Sequence, residues 1–308
     1  MTSAALEAPR TDDERRAAVQ EAASRFYRRK TLYSKLFLGA TSLGLLIAFI
    51  PLFSIIYNVV RNGITYITWK FLTTPPQSPS IFHKHQIGGI SNAIEGTALV
   101  FGMALLMSVP ISIMVAIALY ESHGRVMGAL RTLLEVMIGM PSILFGIFIY
   151  TYVVERMHFQ LTGLAGSLAL TVLMVPLMSV ACEQALRGVP AVLTEAGLAL
   201  GAKKAQVMRK IVLRYALPRM LTAIMLSASR GIGETAPVLL VIGSTYVANW
   251  NLMTSQTTLT TLMYNTIQSF YNYQRSEVWA IALLLIVVVF VLNLASRIIV
   301  ARLNRGHR

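Results

Sequence analysis

The chain has 308 residues, of which 55% are apolar and only 13% charged, and its formal net charge is +14. Apolar runs long enough to cross a bilayer recur along it, which excludes an ordinary soluble domain and indicates a polytopic membrane protein. The positive excess needs no nucleic acid to explain it, because it lies between the apolar runs, where anionic lipid and insertion bias place it. A single cysteine, Cys182, excludes an internal disulfide and any cysteine-based metal cluster and is expected to serve packing.

Residues 1–35 form a basic lead. Thr11-Asp12-Asp13-Glu14 has capping-box spacing, and Val19, Ala22, Ala23 and Phe26 share a helical face near Arg25, Arg28, Arg29 and Lys30. A surface-lying helix and a partly ordered tail both fit this pattern. No small-residue cleavage site precedes the first apolar run, so that run is expected to be retained. Six spans are expected, at 36–60, 92–120, 127–152, 160–182, 219–246 and 277–300, each near or above the ~20 residues a crossing needs. Residues 301–308 form a basic tail.

The loop after the first span holds Pro75-Pro76, Pro79 and Gly88-Gly89, which predicts irregular chain with at most a short helix around Ile64 to Phe71. His83 and His85 stand close together there without the carboxylates or cysteines that complete a metal site, so no metal is expected. Pro110, Pro141 and Pro176 in spans two to four free the carbonyls of Leu106, Met137 and Val172. Gating kinks and merely tolerated prolines both remain open. Arg131 and Glu135, four apart near the end of span three, are expected to be a packing pair.

Between Arg187 and Pro218 the chain reads as helix, turn, helix. Pro190 suits a first-turn position, Leu193, Ala196 and Leu200 share a face, and Gly201 is placed to end the first helix in a left-handed conformation. A short amphipathic helix with small residues at its tip can seat in a groove of another protein. In the fifth span, Arg230 and Glu234 lie four apart on one face. Either would cost a few kcal/mol against lipid, so they are expected to face protein or a watery path, and a structural ion pair is the alternative. Gly231 and Gly233 bare that surface, and Pro237 frees the Gly233 carbonyl.

No internal repeat is found, which weakens an inverted-repeat carrier architecture. Of the 27 Lys and Arg residues, 8 fall in the lead, 2 in or beside the loop after span two, 7 in the loop after span four and 4 at the C-terminal end. The positive-inside rule therefore predicts both termini in the cytoplasm.

Glu195-Ala196, Gly201 and Ile211-Val212-Leu213 resemble the Glu-Ala-Ala, Gly, Ile-x-Leu-Pro signature of ATP-binding-cassette importer permeases, with Gly197 in place of the second alanine and Arg214 in place of the proline. The string from Ser229 to Leu240, SRGIGETAPVLL, resembles the fifth-helix motif of phosphate importer permeases of the A type (PstA). FLTTPP at Phe71 to Pro76, GGISNAIEGT at Gly88 to Thr97, Met140-Pro141-Ser142-Ile143 with Gly146, and CEQALRGVP at Cys182 to Pro190 extend the likeness. Glu95 has no role in the motif.

The resemblance implies an all-α, six-span inner-membrane permease of MetI-like fold that is not an enzyme. It implies a substrate path at Arg230, Glu234 and Thr235, and ATPase coupling through Glu195, Ala196, Gly201 and Ala202. Pro110, Pro141, Ser142, Pro176 and Pro237 are the candidate gate or kink positions. Expected partners are a second homologous permease, two ATP-binding subunits, an external phosphate-binding protein and the lipid bilayer. No phosphate-loop run Gly-x-x-x-x-Gly-Lys-Ser/Thr occurs in the chain, so no cofactor is expected on it, and ATP and Mg belong to the separate ATPase. Molybdate or sulfate as cargo, and an ATP-independent anion carrier, remain the alternatives.

Overall fold

The computed structural model describes residues 12–76, 88–122, 124–270 and 272–305, and the chain divides into two units, Met1–Asn58 and Val59–Arg308. Helix α1, Asp12–Gly63, makes the described part of the lead and the first span one uninterrupted helix, with its membrane-length apolar stretch at Tyr33–Gly63. Thr11 lies outside the described residues, as do the side chains of Val19, Ala22, Ala23 and Phe26, and His83 and His85.

The second unit holds the remaining crossings. The short helix α2, Trp69–Thr73, starts later than expected because Thr68 caps it, its Oγ1 accepting from the Phe71 N–H at 3.2 Å. Helices α3 (Ser91–Glu121) and α6 (Gly163–Arg187) form the central pair. Ser167 Oγ donates to the Val100 carbonyl at 3.0 Å, Thr171 Oγ1 to Ala104 at 3.5 Å and Ser112 Oγ to Val175 at 3.3 Å. Residue numbers rise together across these pairs, so the two helices run parallel, and small hydroxyl residues let them approach closely. The chain between them must therefore cross back.

That return crossing is broken. Helix α4 (Arg125–Gly139) and helix α5 (Ile143–Ile149), which continues in π-helical turns to Glu155, meet at 111°. Fifteen residues of α4 reach only about 22 Å, so neither half spans the ~30 Å hydrocarbon layer alone. Five helices among the described residues are long and apolar enough to cross, and with this bent pair they give six candidate crossings by length and composition, and the all-α six-span class holds. Among the described residues there is no strand. Pro110 and Pro176 sit inside unbroken helices, whereas Pro141 stands at the 111° break.

The fifth span differs from expectation. The long apolar helix here is Lys204–Gly231, where a span at 219–246 was expected, and it comprises α8 (Lys204–Val207), π-helical turns at Met208–Val212 and α9 (Leu213–Gly231). The helix expected to resume after the Gly201 turn does so, and it runs without a break into α9. After Gly231 come α10 (Ala236–Leu239), irregular chain, α11 (Leu259–Ile267) and finally α12 (Asn272–Arg305). The irregular stretch contains apolar residues that composition alone reads as helix, but it is folded into the bundle.

Non-helical backbone survives at membrane depth only when its polar groups find partners inside the protein. The Thr162 N–H reaches the Val241 carbonyl at 3.1 Å, Gly163 reaches Thr254 at 2.9 Å, Leu164 reaches Leu252 at 2.8 Å and Gln256 reaches Ile242 at 3.2 Å. Val241 and Ile242 are completely buried. Gly96 of α3 seats the same stretch: a Cβ there would lie 2.2 Å from the Thr257 carbonyl oxygen, which is backbone and cannot swing away. Gly96→Ala is expected to destabilise the protein by about 3 kcal/mol, the upper end of overpacking, read as a lower melting temperature in detergent. Gly102→Ala, which meets open space on the same helix, should leave the melt unchanged or slightly raised.

Candidate functional site

Two interrupted spans converge on Arg230. Helix α9 packs antiparallel to α6, because Arg219 Nη1 donates to the Gly188 carbonyl at 2.9 Å at one end and Gly231 abuts Met174 at the other. A Cβ on Gly231 would come within 2.6 Å of the Met174 sulfur. Met174 lies close to the middle of α6, so α9 stops about half-way across the bundle. Arg230 is in its last turn, and with Met137, Ile138, Met140, Ser142, Phe145, Leu173 and Leu177 it bounds a small niche. Met140 and Ser142 flank Pro141, so the break in the third span and the end of the fifth face each other.

Gly146 makes this convergence close. A Cβ there would lie 2.7 Å from both Cα and O of Pro237, so only glycine lets α5 lie against the start of α10. Pro237 does not kink a continuous helix, as its position in the sequence suggests. It occupies the first turn of α10, where its missing N–H has no intrahelical partner to lose.

Arg230 Nε lies 3.5 Å from Glu234 Oε1, with side-chain exposures of 57% and 17%. The pair forms although Glu234 lies beyond the helix, its N–H donating to the Gly231 carbonyl at 3.2 Å. The Glu234 carbonyl accepts from Thr260 Oγ1 at 3.3 Å, which ties α11 to the site. Thr235 is the N-terminal cap residue of α10, and its side chain makes no capping bond. One carboxylate leaves most of the guanidinium's fork of donors unused, and more than half of that side chain is open. The arrangement can accept an oxyanion by charge-assisted hydrogen bonds.

At the far end of α6 the basic loop is a hairpin. Pro190 caps helix α7, Ala191–Ala199, one place before the expected first-turn position. Gly201 has φ +79°, its N–H donates to the Leu198 carbonyl at 2.9 Å, and the Ala202 N–H donates to Gly197 at 3.2 Å. These paired bonds are the Schellman ending expected for this glycine. Glu195, Ala196, Leu193 and Leu200 are exposed, and Gly197 is the buried residue of α7. A Cβ on Gly197 would fall 2.7 Å from Ile211 Cδ1, so Gly197 in place of alanine draws α7 onto the turns that follow. Glu195, Ala196, Gly201 and Ala202 of the hairpin and Arg230 sit at different levels of the bundle and are not in one site.

Sequence reasoning missed Glu183. It is buried, and its Oε1 accepts from Arg131 Nη2 and, at 2.7 Å, from Arg187 Nε. The expected Arg131–Glu135 pair is therefore wrong: Glu135 is exposed, and Arg131 points across to α6. Cys182 is completely buried, as packing requires. Glu95 Oε2 is buried without a hydrogen-bond partner. Among the described residues no group of three or more His, Cys, Asp and Glu is placed to hold a metal ion.

Discontinuous spans meeting around a charge at mid-height are the architecture of a membrane permease, since they bring helix ends and free backbone groups to the middle of the bilayer. Residues 108–308 match the family of binding-protein-dependent transport system inner membrane components, and the chain belongs to that family. It is a multi-pass transport component of the inner membrane. Within the family it is similar to phosphate transport system permease protein PstA 1 of Mycobacterium tuberculosis, 33% identical over 82% of this chain and 84% of that protein. It is also similar to PstA of Haemophilus influenzae, 31% identical over 89% of this chain and 95% of the relative.

Solved structures share the fold. A bacterial ABC transporter involved in the import of the acidic polysaccharide alginate superposes with a TM-score of 0.64 at 16% identity, covering 90% of this chain and 99% of that one. The inward-facing MetNI methionine ABC transporter superposes with a TM-score of 0.56 at 19% identity, covering 70% and 95%. The MetI-like permease fold follows.

Proposed function

We propose that this chain is one half of the pore of an ATP-driven importer of inorganic phosphate. The observation that carries this reading is Arg230, an open guanidinium at mid-bundle where two interrupted spans meet, in a chain about one-third identical to PstA permeases over most of its length. A charge there is too costly against lipid to be left facing it. A water-filled path shared with a second homologous permease removes that cost. Two ATP-binding subunits, carrying ATP and Mg, grip the hairpin at Glu195, Ala196, Gly201 and Ala202. An external phosphate-binding protein delivers the anion at the opposite end, and both termini lie in the cytoplasm, as the cation distribution supports.

In this mechanism ATP binding draws the hairpin, opens the outer side and admits the anion to Arg230, where Glu234 keeps the attraction shallow enough for release. Pro141 and Ser142, at the bend of the third span, and Thr235 and Pro237, opening α10, are the moving margins of the gate. Hydrolysis resets it. Uptake of phosphate by proteoliposomes holding the whole complex tests the reading, and absence of phosphate uptake there would end it. Glu234 also offers a basis for selectivity, because hydrogen phosphate has a proton to donate to a carboxylate and sulfate has none. Glu234→Gln is expected to narrow the phosphate-over-sulfate preference by about tenfold, a Coulomb effect discounted for solvent. Competition uptake measures it, and an unchanged preference would remove this role.

A further inference from the structure

The cluster around Glu183 lies between the hairpin and the gate. A recess of about 660 Å³ separates the end of α3 from the hairpin, and Arg187 lines it together with Thr194, Leu198 and Lys204. Arg187 reaches back to the Leu119 carbonyl in the last turns of α3 at 3.4 Å and to Glu183 Oε1 at 2.7 Å. The same oxygen accepts from Arg131 on α4. Helix α4 then runs to Met137 and Met140, which wall the Arg230 niche. A continuous line of charged contacts and one rigid half-span therefore joins the hairpin's recess to the break at Pro141.

One buried carboxylate oxygen of Glu183 takes both guanidinium groups. A pair within α6 alone, Glu183 with Arg187, would neutralise the charge. The second arm adds a tie between α6, which leads into the hairpin, and α4, which carries the gate. Glu183 is buried at 4% exposure while Arg131 and Arg187 are partly open at 38% and 42%, so the carboxylate needs its cations and the joint ties the two helices where they meet.

We propose that Glu183 is the positioning residue through which movement of the hairpin sets the bend in the third span. This rests on the importer reading above. The carboxylate touches no cargo; it holds α4 by Arg131, so that displacement of the α6–α7 junction turns α4 about the break at Met140–Ser142. Coupling through an element with two positions is the physical requirement for such a link, and the proposal places that element at the 111° bend between α4 and α5.

The test is Arg131→Gln, which removes one arm and leaves Glu183 with Arg187. The whole complex is reconstituted with loaded binding protein outside and ATP inside, and the ATP hydrolysed per phosphate imported is measured. The variant is expected to accumulate normally and to hydrolyse ATP while that ratio rises at least tenfold, with Arg131→Lys recovering most of the coupling. A ratio within twofold of the unaltered complex would overturn the proposal. Should Arg131→Gln fail to accumulate, Arg131→Lys decides: a raised ratio supports the joint, and an unaltered ratio or loss of that protein too assigns the cluster to packing and overturns it. If the unaltered complex shows no phosphate-dependent uptake, the importer reading fails instead.

Discussion

Replacing Arg230 by Gln is expected to reduce phosphate uptake at least about a hundredfold while the protein reaches the membrane in normal amount. The transport loss follows from the donors. A charge-assisted hydrogen bond contributes about 1.5–3 kcal/mol, and a guanidinium can give an oxyanion two in parallel. Losing both corresponds to a hundredfold or more. The structural loss is small by contrast, because Arg230 is 57% exposed and its partner Glu234 stands 3.5 Å away at 17% exposure. An ion pair so open to solvent contributes about 0–1 kcal/mol.

Uptake assays paired with quantification of the membrane-inserted protein check this expectation. A packing role for Arg230 gives the opposite result, reduced protein with proportionally reduced uptake. Arg230→Lys should fall between, since lysine keeps the charge and loses the planar fork that holds two oxygens at once. If lysine performed as well as arginine, simple charge attraction would suffice and the bidentate account would be wrong.

How much of this site was legible in the sequence differs from part to part. The span count survives because a run of apolar residues carries its own length signal. The Gly201 turn survives because a glycine after an apolar periodic segment is a local ending, and its φ of +79° bears this out. The break points were harder. Residues 232–246 are mostly apolar, so hydropathy extends the fifth span through them, yet Gly233, Pro237 and Gly243 fall within that short window, directly after Gly231, and act as punctuation. Gly243, with φ +76°, is a second left-handed position that the apolar reading overran.

Long-range pairing was not legible. Arg131 and Glu135 satisfy a local spacing rule, but the actual partner, Glu183, lies 52 residues away on α6. Nothing local separates Glu183 from an ordinary carboxylate at a helix end. The parallel course of α3 and α6 creates the junction, and only after that course is known does the charge cluster between the hairpin and the bend at Pro141 become visible. The same holds for Gly96 and Gly146, whose close neighbours, Thr257 and Pro237, are remote in the chain.

Gly201→Asp is expected to uncouple the permease from its ATPase, so that the ATPase no longer co-purifies and uptake falls to background. The left-handed backbone is not what aspartate breaks. Residues with a Cβ lose about 1–2 kcal/mol there, but Asp and Asn visit this conformation more readily than others, and a Cβ at Gly201 meets nothing within 4 Å in this chain. The hairpin should therefore keep its shape. What changes is the tip itself, where an anionic group now projects from the turn beside the exposed Leu200, at 89% exposure, into the surface that a partner must cover. Gly201→Asn separates shape from charge, because asparagine serves the same turn without the carboxylate; it should retain more of the ATPase than aspartate does. Binding measured by co-purification in detergent, with hairpin integrity checked by the melting temperature, decides the matter, and retention of a full complement of ATPase by Gly201→Asp would show that the motor does not grip this turn.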